Sequence, residues 1–270
     1  MNICFYTSEK PNAASELNIS HLIHSMPEHN YSFLCVAAKP EPRTGLLDRL
    51  KKVYGRLRFD DGCFDFGRGL KLLDKRLAER TPALKRSEFR HGYADSVNDV
   101  KSVQFLNEVK PDILIQAGAG ILKQNTFSLS TRATINLHHG IAPEIRGIES
   151  TFWCMVYGLR DKIGATCHLI DETLDTGAVV LQKRLSTSAS TFVDIQLENL
   201  LLGREILADS VGLLCNKKFT ARTTGEVPSY YFGLPNSFLF SELKKNDFQP
   251  IRNISEKPFK MKPKNVLDFF

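Results

Sequence analysis

At 270 residues, 42% hydrophobic and 24% charged, the chain is long enough for one large core and a smaller appendage. It has no apolar run long enough to span a bilayer, and its start, NICFYTS, is a strand pattern without a basic leader; the cytoplasm is the expected compartment. The net charge of +6 favours anionic partners without choosing among nucleotides, phosphates and nucleic acid. Six cysteines, Cys4, Cys35, Cys63, Cys154, Cys167 and Cys215, lie far apart without a CxxC pair, which reads as buried reduced thiols and argues against a metal site.

In chain order, strand-like and helix-like segments alternate, the pattern of an α/β sheet with helical crossovers. NICFYTS and SFLCVAA read as strands, separated by a helix around Leu17 to Met26. Residues 43 to 90 carry Arg49, Lys51, Lys52, Arg56, Arg58 and further basic residues among scattered leucines. Because acidic residues are interspersed and aromatic partners are few, amphipathic helices with solvated basic faces explain this segment better than a nucleic-acid patch. DVKSVQFLNEVK predicts a helix entered at Asn98 or Asp99 and feeding the buried strand DILIQAGAG. Then come ATINLHHG, a helix over Ser150 to Tyr157, and the strands GATCHLID and GAVVLQKRL. A long helix starts after Thr191, a suitable N-cap, with Leu197, Leu200, Leu201, Leu207, Val211 and Leu214 on one stripe. From about residue 217 the chain is loop-rich with aromatic clusters; the expected organisation is a domain over 1–216 and a small extension over 217–270.

The stretch INLHHGIAPEIRG (135–147) places polar side chains at the carboxyl end of a buried strand, where ligands bind in open parallel sheets. Alternation puts Asn136 and His138 on one face with Leu137 packed behind. Two N–H donors aimed at one point suit an oxyanion; a turn cap and a loop contact would use the same residues. A second polar turn, Asp171, Glu172 and Asp175 with Gly177 at its exit, follows another core strand. Its carboxylates are either solvated turn residues or, if the two loops face each other, a group that binds water or orients the histidine. His139 reads as an exposed loop residue or else a substrate contact, and His168 as a structural strand residue. The lone GAG at Gly118–Gly120 lacks dinucleotide-fingerprint spacing.

In their order, PDILIQAGAGIL, INLHHGIAPEIRG, WCMVYG, GATCHLIDETLDTG and VVLQ resemble the folate-dependent formyltransferases, which include glycinamide ribonucleotide transformylase, methionyl-tRNA formyltransferase and the nucleotide-sugar N-formyltransferases. The resemblance covers about Val97 to Lys183. It implies a Rossmann-like, mostly parallel α/β sheet flanked by helices. It implies 10-formyltetrahydrofolate as formyl donor, no metal, a catalytic trio of Asn136, His138 and Asp175, and a folate pocket involving Ile121, Leu122, Pro143, Asp171, Glu172 and Thr173. After the histidine the family often has a small residue, then Ser and two leucines; here His139, Gly140, Ile141 and Ala142 stand there, with Pro143 retained.

The acceptor expected on this resemblance is the amine of a nucleotide-linked amino-sugar. The tail looks too short for the barrel of the transfer-RNA enzyme, and the purine enzyme lacks such a tail. SYYFGLPNSFLFSELKKN is similar to the Tyr-rich region that follows the core of sugar N-formyltransferases. Arg146 and Gly147 are candidate acceptor contacts, since a guanidinium suits phosphate or carboxylate; a surface salt bridge is the alternative. Tyr230 and Tyr231 offer either a stacking face for a base or core packing. Hydroxyornithine is the second acceptor, and hydrolysis of the folate the competing reaction, although the regulatory domain that usually precedes the hydrolase core is not expected with a catalytic pattern that starts at Met1. A homodimer fits this layout; membrane and nucleic-acid partners are not expected.

Overall fold

The computed structural model describes residues 1–37, 60–225 and 227–233, with side chains in the helix Asp60–Ala78 described from Gly69. The basic residues from Arg49 to Arg68 therefore fall outside the described residues or side chains. Of the basic residues described beyond them, Arg76 pairs with Asp194, Arg86 with Glu16 at 2.6 Å, and Arg90 with Glu108 at 2.5 Å.

The strands are β1 (Asn2–Ser8), β2 (Asn30–Val36), β3 (Arg90–Ala94), β4 (Ile113–Ala117), β5 (Ala133–His138), β6 (Ile145–Gly147), β7 (Gly164–Leu169), β8 (Val179–Arg184) and β9 (Tyr230–Phe232). The helices are α1 (Ala13–Ser25), α2 (Asp60–Ala78), α3 (Val100–Val109), α4 (Gln124–Phe127), α5 (Ser150–Val156) and α6 (Phe192–Cys215). Seven strands form one sheet in the order β3-β2-β1-β4-β5-β7-β8. The first five are mutually parallel, and β7 and β8 are antiparallel additions.

Alternation in β1 divides the core. Ile3 and Phe5 face the layer of α1 and α6, together with Ile206, Leu207 and Val211. Cys4 and Tyr6 face the layer of α3, with Phe105 and Leu106. Asp99 caps α3 by accepting from the Ser102 N–H at 2.8 Å, and Thr191 caps α6 by accepting from the Asp194 N–H at 3.2 Å. The α6 stripe is buried at Leu197, Leu200, Leu207, Val211 and Leu214, with Leu201 half-buried. Each such leucine contributes on the order of 1.5–3 kcal/mol through removal of apolar surface from water. Of the six cysteines, Cys4, Cys35, Cys154, Cys167 and Cys215 are free thiols; the Cys63 side chain lies outside the described residues.

Three strands escape the sequence pattern. β3, Arg-His-Gly-Tyr-Ala, is an edge strand whose Tyr93 is exposed, so it lacks the apolar run of a central strand. β6 and β9 are three-residue strands that pair in parallel across the chain, Ile145 with Tyr230, Arg146 with Tyr231 and Gly147 with Phe232. Gly147 has φ +94°, and a Cβ there would lie 2.1 Å from the Phe232 carbonyl oxygen, so only glycine permits this contact. The described part of the extension thus adds a small second sheet at the site end of the fold.

The strand order reverses between β1 and β4, which opens a crevice beyond their carboxyl ends. Among the described residues, no helix is long and apolar enough to cross a membrane.

Candidate active site

The crevice is a cavity of about 850 Å³. Its lining comes from the carboxyl ends of β1 (Ser8), β2 (Val36), β4 (Gln116) and β5 (Asn136), and from the turns after β4 and β7. Leu122, Val97, Phe127 and Ile170 supply apolar wall; Asp171, Glu172, Thr173 and Asp175 supply an acidic one.

The turn after β4 is held by neighbours rather than by regular structure. The Tyr6 hydroxyl donates to the Ala119 carbonyl. Asn98 reaches across with both ends of its amide, donating to the Ile121 carbonyl at 2.9 Å and accepting from the Lys123 N–H at 2.7 Å. The acidic turn folds on Asp171, which accepts from the Thr173 N–H and hydroxyl, each at 2.9 Å. Gly177 ends it where a Cβ would lie 1.7 Å from the Leu169 carbonyl oxygen. That close passage is the physical reason for a glycine two residues after Asp175.

Asp175 sits in a left-handed conformation, φ +54°, which aspartate tolerates better than most residues. Its Oδ2 accepts from the Gly147 N–H at 3.0 Å and lies 3.6 Å from His138 Nδ1. Its Oδ1 lies 3.5 Å from both Asn136 Nδ2 and His168 Nε2. Burial acts to raise its pKa, but the His138 charge, a His168 hydrogen bond and the Gly147 N–H outweigh it and hold the carboxyl well below the usual range. Asn136 and His138 do converge, and their common point is the Asp175 carboxylate.

His138 is buried, and its Nε2 lies 2.8 Å from the Ile145 carbonyl and 3.3 Å from Ser150 Oγ. A carbonyl can only accept, so Nε2 carries the proton in that contact, and Nδ1, facing Asp175, is the position at which a proton can come and go.

His168 corrects the sequence reading. Expected as a structural strand residue, it lines the cavity and lies 3.3 Å from Asn136 Nδ2, while its Nδ1 bonds the Leu169 carbonyl at 2.9 Å. The signal available was its place near the end of the strand that leads into the turn carrying Asp171 and Asp175.

His139 also corrects it. Instead of an exposed loop residue, it packs against α6, where a Cβ on Gly203 would lie 2.4 Å from its Cε1, and its Nδ1 is buried without a partner among the described residues. Burial lowers its pKa to about 4; the His138 charge adds to this and the Asn199 backbone opposes it. The unfolded chain binds that proton near about pH 6.5, the folded one only near about 4. Stability is therefore expected to fall as pH drops from about 6.5 to about 4 and to level off below. Thermal melts of wild type and His139→Gln across this range check it: the variant should show the shallower decline, and equal slopes would refute the assignment.

Of the other expected site residues, Ile121, Leu122, Asp171, Glu172 and Thr173 line the cavity and Pro143 does not. The Pro143 carbonyl accepts from the Ser229 hydroxyl at 2.5 Å. Arg146 does not point freely outward: Nε donates to Ser229 Oγ at 2.8 Å, Nη1 to the Leu174 carbonyl at 3.2 Å, and the guanidinium lies 6.0 Å from the Tyr231 ring centre. Tyr230 stacks with Phe232, which stacks in turn on Trp153 at 5.3 Å, so Tyr230 belongs to the aromatic packing. Tyr231 faces the site, its pKa raised by burial and then by Asp175. Among the described residues, no cluster of three or more His, Cys, Asp or Glu side chains is arranged to hold a metal.

Residues 71–199 match the family described as formyl transferase. A methionyl-tRNA formyltransferase from Anaeromyxobacter dehalogenans is 33% identical over 143 residues, 51% of this chain and 46% of that protein. Another from Thermotoga maritima is 29% identical over 117 residues, 43% of this chain and 37% of that protein. The matched region thus spans about half or less of these relatives. A sugar N-formyltransferase from a Shewanella species shares the fold with a TM-score of 0.54 at 15% identity, covering 87% of this chain and 77% of that one. The phosphoribosylglycinamide formyltransferase of Bacillus halodurans does so with a TM-score of 0.54 at 16% identity, covering 81% of this chain and 99% of that one.

Proposed function

We propose that this chain, which belongs to the formyl transferase family through residues 71–199, transfers a formyl group from 10-formyltetrahydrofolate to the amine of a nucleotide-linked amino-sugar. The observation that carries the transfer is one buried carboxylate, Asp175, ringed by Asn136, His138 and His168 at the end of the 850 Å³ cavity. A cavity of this volume with an apolar wall and a few convergent polar groups fits a molecule of folate size. Leu122, Ile121 and the turn from Asp171 to Thr173 would hold it. The folate supplies the formyl group and a departing nitrogen.

The chain's own residues supply the rest. Addition of a neutral amine to a formyl carbon places negative charge on the formyl oxygen. Asn136 Nδ2 is a cavity-facing donor for that charge, and His138 offers Nδ1–H when protonated. Asp175 and His138 Nδ1, 3.6 Å apart, relay the amine proton towards the departing nitrogen. Cys4, Cys154 and Cys167 take no part: burial raises their thiols to about 12, so they are not thiolates at neutral pH.

Support for the acceptor comes from the tail, which brings Tyr231 over Arg146 beside Asp175, and from the sugar N-formyltransferases among the shared folds. The methionyl-tRNA formyltransferases among the sequence relatives favour a second acceptor, an aminoacyl-tRNA. Incubation with 10-formyltetrahydrofolate and, separately, nucleotide-linked amino-sugars, hydroxyornithine, methionyl-tRNA or water alone should give a formylated sugar by mass. Turnover on hydroxyornithine or methionyl-tRNA and on no sugar would overturn the sugar assignment, and equal tetrahydrofolate release with water would indicate a hydrolase. Arg146→Ala should raise the sugar KM about tenfold or more, the worth of one hydrogen bond to a charged group, with a smaller change for folate.

A further inference from the structure

The short strand β6 is used on both of its edges. On one, the Tyr230 N–H donates to the Glu144 carbonyl at 2.8 Å and the Ile148 N–H to the Phe232 carbonyl at 3.0 Å, which joins β6 to β9. Successive residues of an extended strand direct their backbone groups to opposite edges. Ile145 and Gly147, of the other parity, therefore face away from β9, and both reach the catalytic trio. The Ile145 carbonyl lies 2.8 Å from His138 Nε2, and the Gly147 N–H donates to Asp175 Oδ2 at 3.0 Å. β9 is itself anchored by Phe232, which is buried and stacked on Trp153 at 5.3 Å.

Ser229, which leads into β9, supplies a second link. Its hydroxyl uses both of its capacities: it donates to the Pro143 carbonyl at 2.5 Å and accepts from Arg146 Nε at 2.8 Å. A guanidinium is a planar fork, so a fixed Nε also fixes Nη1. Nη1 donates to the Leu174 carbonyl at 3.2 Å, one residue before Asp175. Asp175 depends on such ties. It is left-handed, φ +54°, in a turn without regular structure. His138, Asn136 and His168 stand 3.5 to 3.6 Å from its oxygens, too far to fix the carboxylate by themselves. The Gly147 N–H and the Leu174 carbonyl therefore set where it points.

We propose that Ser229 is a positioning residue for the reaction: through Arg146, and together with the β6–β9 pairing, it sets the Asp175 carboxylate against His138. The extension is then part of the catalytic machinery as well as a wall for the acceptor. The assignment rests on the formyl-transfer reading above, in which Asp175 and His138 relay the amine proton. Ser229 spends its hydroxyl on Pro143 and Arg146, so it acts by keeping the proton-handling pair in place. A misplacement of about 1 Å in such a pair can cost about a hundredfold in rate.

The test is a double-mutant cycle of Ser229→Ala and Asp175→Asn, with 10-formyltetrahydrofolate and a nucleotide-linked amino-sugar, or methionyl-tRNA where that is the amine turned over. Alone, Ser229→Ala should lower kcat about tenfold, the scale of one hydrogen bond to a charged group, while the KM of each substrate stays within about threefold. In Asp175→Asn, which has no carboxylate to place, the same change should cost less than about twofold, because groups that act as a unit are not additive. A loosened fold would instead lower both backgrounds alike, and that additive result would overturn the proposal. So would a wild-type kcat in Ser229→Ala, or a raised amine KM with kcat unchanged, which would leave Ser229 as support for the acceptor contact alone. Wild type that formylates none of the amines would defeat the formyl-transfer reading, and this assignment with it.

Discussion

Asn136→Ala and His138→Ala are each expected to lower turnover about a hundredfold or more, the usual cost of one oxyanion donor, in protein that still folds. The two should differ in stability. Asn136 is half-buried at the cavity wall, and its amide contacts His168 at 3.3 Å and Asp175 at 3.5 Å, distances at which little hydrogen-bond energy is lost. His138 is 7% exposed and bonded to the Ile145 carbonyl, so its removal leaves a buried acceptor unpaired at about 1–3 kcal/mol and puts a void beside Ser150. His138→Ala should therefore melt several degrees lower than Asn136→Ala while losing comparable activity. Rates measured on purified, folded variants check this, and near-normal turnover in either would remove that residue from the catalytic set.

Asp175→Asn should suppress transfer by a similar factor with the fold kept. Asparagine tolerates φ +54°, and its carbonyl can still accept the Gly147 N–H, but it cannot take up a proton. The pH dependence carries a second signature. The folded pKa of Asp175 is depressed, so its contribution to stability is fully present above the unfolded value of about 3.9 and is lost as pH falls through the folded value. The Tm difference between wild type and Asp175→Asn should accordingly be largest near neutrality and shrink in strong acid. If the variant kept the wild-type rate and its pH profile, Asp175 would be a turn residue and nothing more.

Much of this protein is determined along the chain. Alternating apolar strands and capped helices with apolar stripes depend on periods of two and 3.6 residues, and these place β1, α1, β2, α3, β4, β5, α5, β7, β8 and α6 in order. Adjacent motifs likewise bring Asn136 and His138 to one face of one strand end. Tertiary structure decided what depends on distant contacts. The edge strand β3 buries too little to show a pattern. β6 and β9 are three residues each, and their pairing depends on the close approach that Gly147 allows to Phe232, a residue far along the chain.

The same division runs through the site. That Asp175 meets both Asn136 and His138, that His168 faces the cavity and His139 packs into α6, and that Arg146 is held by Ser229 and Leu174 are results of how the turns after β5 and β7 close on each other. Local sequence sets which residue types can occupy a strand end. Which side chain is buried, charged or paired there is set by neighbours from other parts of the chain, through the dielectric and the donors they bring.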